Sequence, residues 1–225
     1  MHTVDKLRPQ HCRALAQAGE IVAHVHAADL ARATPCAGWD LQVLLSHMIG
    51  QNDGFATAVT AGDAPQSAYT RTPVTASDLA SEWRRSADRV QAAFAHAHTD
   101  DEVRLIEINP DNTVPVAAAV GMHLLDTVIH TWDVAISLGN PYRPDDELLE
   151  IVAAGAKQVP AGASRTEPGA AFAPAVTTDQ TDSWLILRQP ASRWAIPDRR
   201  SRLLCRGHEV FSRPSSARVL SGPGP

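Results

Sequence analysis

A long apolar segment, residues 116–138, constrains the fold of this 225-residue chain more than any other feature. Pro115 suits the first turn of a helix, and Gly139-Asn140-Pro141 is a typical helix stop. The segment therefore predicts a long helix that is buried on most of its surface. Apolar residues make up 44% of the chain but aromatic residues only 5%, and this balance favours close-packed helices over twisted sheets. The sequence predicts an all-α fold.

Four further segments show the apolar periodicity of helices. They cover residues 5–32, residues 41–60 after an Asp40 cap, residues 75–98 and residues 145–156. Residues 102–108 alternate enough to predict a short strand or an extended linker. The chain length allows one main domain. Residues 1–176 are predicted to form a helical bundle, and residues 177–225, rich in Arg, Ser and Pro, an irregular tail.

Charge and composition exclude several classes of function. The net charge of -5 and the pI near 6.0 provide no overall basic field that would recruit nucleic acid or an anionic membrane. The sequence shows no signal peptide and no run of about 18 apolar residues. Cys12, Cys36 and Cys205 are too few and too far apart for a disulfide framework, so we expect a cytoplasmic protein. An Arg-rich nucleic-acid arm after Arg188 is an alternative for the tail.

Three polar side chains share one face of the predicted long helix. His123, Asp126 and His130 are spaced i, i+3 and i+7, so the carboxylate of Asp126 and the imidazole of His130 can converge on one metal ion. His47 lies in an otherwise apolar stripe, where metal binding would remove the cost of burying a polar group. The alternative for His47 is a hydrogen-bonded core residue. His123 has three possible roles: a fourth ligand, a hydrogen-bond partner of a ligand, or an ordinary hydrogen-bonded helix residue. We favour the last.

Two motifs together resemble a known superfamily. Thr34-Pro-Cys-Ala-Gly-Trp-Asp40 leads into Leu44-Leu-Ser-His47, and His123-Leu-Leu-Asp-Thr-Val-Ile-His-Thr-Trp-Asp133 follows. The chain resembles the DinB/YfiT-like superfamily, and within it the mycothiol-dependent maleylpyruvate isomerase N-terminal domain family. The resemblance covers about residues 4–176, including a Phe172-Ala-Pro-Ala-Val176 segment. It implies a four-helix bundle with a short fifth helix. It also assigns the metal ligands to His47, Asp126 and His130, with one coordination position open.

The other residues of the two motifs have simpler expected roles. Trp39 and Trp132 are predicted to pack in the core. Asp133 is predicted to accept a hydrogen bond from a ligand side chain or to cap a helix. Cys36 is predicted to be a small packing residue, because no base partner for a nucleophilic thiol is evident in the sequence.

A centre of two imidazoles and one carboxylate with an open position is typical of catalytic rather than structural sites. Zinc is the first expectation for the divalent ion, with nickel, iron or manganese as alternatives. The sequence thus predicts a thiol-dependent transferase or isomerase that acts on a small electrophilic substrate, with mycothiol implied by the resemblance alone. Its expected partners are small molecules and, in a homodimer, a second copy. The alternative is a non-catalytic bundle that binds a metal or a small ligand.

Overall fold

The computed structural model describes residues 3–36, 38–70 and 73–158, and within them the predicted all-α fold is confirmed. These residues form α1 (Val4–Val22), α2 (Leu41–Ala61), α3 (Leu79–His96), α4 (Val116–Ser137) and α5 (Asp146–Ala156). Short 3-10 turns cover Ala27–Asp29 and Gln66–Ala68. Two short strands, β1 (Glu102–Arg104) and β2 (Thr113–Pro115), pair antiparallel just before α4.

The four long helices enclose a common core. α1 packs against α4 and α3, while α2 packs against α3 and α4, and α5 covers part of α4. α4 is the most buried helix, as its apolar sequence predicts, because it contacts both α1 and α2. On α2 the apolar stripe Leu41, Leu44, Leu45 and Ile49 is fully buried. Each such side chain contributes about 1.5–3 kcal/mol to folding, so this stripe fixes which face of α2 points inward.

The predicted helix starts at Asp40 and Asp145 are confirmed. The Asp40 carboxylate accepts the backbone N–H of Val43 at 2.9 Å, and the Asp145 carboxylate accepts that of Leu148 at 3.0 Å. Each bond satisfies one of the backbone donors that a helix leaves unpaired at its first turn. α2 therefore begins at a defined residue, and its later side chains keep a defined rotation.

The first helix is shorter than predicted. It ends at Val22, whereas the apolar periodicity continues to Arg32. Asp29 explains the early end, because its carboxylate accepts the backbone N–H of His26 at 2.9 Å and pairs with Arg32 at 2.8 Å. These local bonds stabilise a turn that competes with continued helix. Similarly, the third helix begins at Leu79 rather than near residue 75.

Part of the predicted organisation lies outside the described residues. The Phe172-Ala-Pro-Ala-Val176 segment and residues 177–225, including Arg188, belong to that part of the chain. The domain boundary at residue 176 therefore stays a prediction. Among the helices that the structure describes, none has the length and hydropathy needed to cross a bilayer.

Candidate metal centre

α2 and α4 bring together the three predicted ligands. The Asp126 Oδ1 atom lies 3.3 Å from His130 Nε2 and 4.0 Å from His47 Nε2. One donor atom from each of the three residues lies within 4.8 Å of the others. The two imidazole rings meet nearly at right angles with their centroids 5.2 Å apart. Two nitrogens and one oxygen thus face a common point at which a cation could sit.

The local helix geometry explains this meeting. Asp126 and His130 are one turn apart on α4, so their side chains project in the same direction whatever the surroundings. His47 reaches the same point only because Leu44 and Met48 bury their side of α2 against the core. The His47 side chain, only 9% exposed, lies at the edge of that buried face and faces Asp126 on α4.

A single atom tests whether these residues fit a metal. His47 Nε2 is buried and has no hydrogen-bond partner. A buried polar atom without a partner costs about 1–3 kcal/mol, so such atoms are rare unless a water, an ion or a ligand satisfies them. The residues present therefore fit a divalent ion, because coordination would satisfy this nitrogen.

The charges of the site also fit a cation. Burial disfavours the ionised form of Asp126, but the charges of His130 and His47 and a hydrogen bond from His130 outweigh burial and hold the pKa of Asp126 well below its usual range. Burial likewise lowers the pKa of His130, but Asp126 and Asp133 together raise it well above its usual value. A proton on His130 thus offsets one of the two neighbouring carboxylate charges in the metal-free protein, and a divalent ion would replace that proton.

Asp133 and Cys36 support His130 from behind. The Asp133 carboxylate is fully buried, and its Oδ2 atom accepts the Nδ1–H of His130 at 2.9 Å. This bond leaves Nε2 of His130 free to face Asp126. Asp133 thus accepts a hydrogen bond, as predicted from the sequence, and His130 is the donor. Cys36 does more than pack, because its buried Sγ atom lies 3.4 Å from Asp133 Oδ2. Burial raises the pKa of the Cys36 thiol, which favours the protonated, hydrogen-donating form.

Of the two motif tryptophans, Trp39 lies beside the site. The Trp39 ring centroid lies 4.9 Å from that of His47 and 6.4 Å from that of His130, so the indole covers both imidazoles. Trp132 is buried on α4. The indole of Trp39 shields one side of the site from water, which strengthens the electrostatic interactions within it.

His123 lies outside the group of three ligands. Its Nδ1 atom is 2.9 Å from His11 Nε2, and its ring contacts Phe55 at a centroid distance of 4.8 Å. Burial lowers the pKa of His123 to about 4, so the ring is neutral. The interpretation of His123 as a hydrogen-bonded helix residue therefore fits the structure, although its Nε2 atom is buried without a partner.

The sequence interpretation missed a second polar group beside the centre. Glu107 follows β1 and accepts hydrogen bonds from Gln51 Nε2 at 2.7 Å and from Gln66 Nε2. Burial raises the pKa of Glu107, and the bond from Gln51 and the nearby charge of His47 offset only part of that rise. Gln51 lies four residues after His47 on the same face of α2, and this spacing is the one signal that could have revealed the group.

Comparisons with known proteins identify the family and the fold of this chain. A sequence model of the mycothiol maleylpyruvate isomerase N-terminal domain matches residues 12–135. Two uncharacterised proteins from two strains of Mycobacterium tuberculosis are 28% identical over 167 residues, covering 72% of this chain and 84% of theirs. Crystal structures of the mycothiol-dependent maleylpyruvate isomerase and of a histidine-to-alanine mutant superpose with a TM-score of 0.54. They cover 69% of this chain and 70% of theirs, at 15% and 13% identity, and so show a shared fold.

Proposed function

The chain belongs to the mycothiol maleylpyruvate isomerase N-terminal domain family, and from that premise we propose that it is a metal-dependent enzyme that uses a low-molecular-weight thiol. The observation that carries the proposal is the convergence of His47, Asp126 and His130, with the buried His47 Nε2 atom lacking a partner. Mycothiol is the proposed thiol because the family name contains it. The proposed reaction is thiol transfer or thiol-dependent isomerisation of a small electrophile.

The proposed ion is zinc, since two imidazoles and one carboxylate are a common ligand set for catalytic zinc. A divalent ion held by these residues supplies positive charge that favours the thiolate form of a bound thiol. The remaining functions belong to the chain itself. Asp133 holds the His130 ring in the orientation and tautomer that direct Nε2 toward Asp126. The Trp39 indole covers both imidazoles and limits the access of water.

A structural metal site is the competing function. Structural zinc sites are usually closed by four protein ligands. In the part of the chain that the structure describes, the group formed by His47, Asp126 and His130 has no fourth histidine, cysteine or carboxylate within the same reach. His123, the residue that could have closed the site, bonds His11 instead. This arrangement supports the catalytic proposal. A homodimer and a cytoplasmic location, both expected from the sequence, stay predictions.

Thiol-dependent turnover tests the proposal. Zinc-loaded and metal-free protein are incubated with a panel of small electrophiles and either mycothiol or another thiol, and consumption of the thiol is followed. We expect a rate that requires both metal and thiol and that falls at least a hundredfold in His130→Ala. The matched control is His96→Ala, because His96 is exposed at the end of α3. A panel in which no rate exceeds that of the metal-free protein would refute the proposal.

A further inference from the structure

Three polar side chains beside the metal centre have no role in the function proposed so far. Gln51 is only 2% exposed, and Tyr69 only 5%. The Oε1 atom of Gln51 and the hydroxyl of Tyr69 are both buried without a hydrogen-bond partner. Glu107 joins them, since the Gln51 amide donates to its carboxylate at 2.7 Å. Burial raises the pKa of Tyr69, and the charge of Glu107 adds to that rise. Two buried, unpartnered polar atoms around one carboxylate indicate a place that a ligand fills.

The backbone holds these groups in place. The ring of Tyr69 lies directly against Gly54 on α2, where an added Cβ atom would lie 2.1 Å from the ring. Only glycine allows the ring to approach so closely, and Gly54 lies three residues after Gln51 on the same face of the helix. The hydroxyl of Tyr69 is thus held beside α2 by packing rather than by a hydrogen bond.

These groups lie next to the proposed metal ligands. Gln51 is one helical turn beyond His47 on α2, and its side-chain amide bonds the carboxylate of Glu107 at 2.7 Å. A ligand bound at the metal centre could therefore extend toward Gln51 and Tyr69. Gln51, Tyr69 and Glu107 are called the polar subsite. The subsite adjoins the metal centre at Gln51, one turn of α2 beyond His47.

The hydrogen-bonding capacity of the polar subsite selects its ligand. Gln51 donates one N–H of its amide to Glu107, and its carbonyl oxygen is the buried atom left without a partner, so it can accept a hydrogen bond from a ligand. The Tyr69 hydroxyl, which has no partner, can both donate and accept a hydrogen bond. The acids nearby, Glu107 and Asp63, oppose a negatively charged ligand. The described groups thus match an uncharged ligand with hydroxyl groups and do not match a carboxylate.

We propose that Gln51, Tyr69 and Glu107 form a subsite for an uncharged, hydroxyl-bearing part of the thiol or of the electrophile. This inference rests on the proposed function, because it assumes that a thiol and an electrophile meet at the metal centre. It adds a substrate class: hydroxylated compounds are preferred to their alkyl and carboxylate analogues. A buried group that hydrogen-bonds a substrate hydroxyl rejects an analogue without it, because the group is then left unpaired.

The first arm of the test measures thiol binding. The dissociation constants of 1-thioglycerol, 1-propanethiol and 3-mercaptopropionate are measured on the zinc-loaded full chain by calorimetry. We expect 1-thioglycerol to bind about tenfold more tightly than the other two, and the ratio to fall below about threefold in Tyr69→Phe. The second arm measures the KM ratio of a hydroxylated electrophile and its deoxy analogue with one fixed thiol. The arm that shows the preference identifies which reactant occupies the subsite.

Tyr142→Phe is the matched control, because the Tyr142 hydroxyl donates to Gln17 at 3.0 Å, at the contact with α1. Tyr142→Phe should lower the Tm but leave the ratio of thiol dissociation constants and the KM ratio unchanged. Tyr69→Phe should leave the Tm unchanged or raise it. A lower Tm for Tyr69→Phe would show that its hydroxyl has a structural partner and would overturn the subsite. Thiol binding without any preference in either arm would overturn the subsite alone. Absence of binding by every thiol would overturn the proposed function with it.

Discussion

Replacing Asp133 by asparagine should weaken metal binding without touching a metal ligand. Asp133 is fully buried and accepts the Nδ1–H of His130 at 2.9 Å, so the substitution removes the charge from the acceptor of that hydrogen bond and keeps the shape of the side chain. A buried hydrogen bond to a charged group contributes about 1.5–3 kcal/mol. This range corresponds to a loss of roughly 10- to 100-fold in affinity, as is typical when a carboxylate behind a metal-bound histidine is removed.

The assay is a competition titration of zinc between the protein and a chelating dye at pH 7.5. We expect Asp133→Asn to bind zinc about thirtyfold more weakly than the wild type, the middle of the range given above. Thr131→Val is the control, because Thr131 is equally buried on α4 but its hydroxyl bonds the carbonyl of Thr127. Its affinity should change less than threefold. Equal affinities for Asp133→Asn and the wild type would refute the reasoning that Asp133 orients His130.

Three further predictions concern stability. Burial lowers the pKa of His123 to about 4, from 6.5 in the unfolded chain, so protons favour the unfolded state between these values. His123 alone should cost about 3 kcal/mol from pH 7 to pH 4, and His11, whose pKa burial also lowers, adds to the loss seen in urea titrations; a flat profile would contradict this. Asp40→Ala should lower the free energy of unfolding by about 1 kcal/mol, because the Asp40 side chain caps α2. Asp78→Ala should lower it by less, because the Asp78 side chain makes no cap bond to α3. Gly54→Ala should lower the Tm because its Cβ collides with a tyrosine ring, whereas Gly155→Ala, in open space, should raise it; the reverse order would disprove the packing argument.

Local patterns in the sequence predicted the features that depend on neighbours in the chain. The burial of α4 follows from its apolar content, and the convergence of Asp126 with His130 follows from one helical turn. The cap at Asp40 is likewise a local interaction. The end of α1 was missed although its cause is local, because the bonds of Asp29 compete with a periodicity that continues past Val22.

Pairs that are distant in sequence could not be predicted in this way. Gln51 and Glu107 are 56 positions apart, and Cys36 and Asp133 are 97 positions apart. His11 and His123 are separated by 112 positions. No periodicity links the members of these pairs, and each contact exists only because the helices pack in one arrangement. The approach of His47 to Asp126 belongs to this class. The apolar stripe around His47 suggested it as a further ligand, and the motif resemblance then assigned it to the same site as Asp126 and His130.

Metal content of purified variants tests the central claim most directly, namely that two imidazoles from different helices and one carboxylate hold one divalent ion. Protein saturated with zinc and then dialysed is analysed by elemental mass spectrometry alongside His47→Ala, His130→Ala and the exposed-residue control His96→Ala. The account predicts about one ion per chain in the wild type and in His96→Ala, and about a tenth of that or less in His47→Ala and His130→Ala. Equal metal content in all four proteins would contradict it.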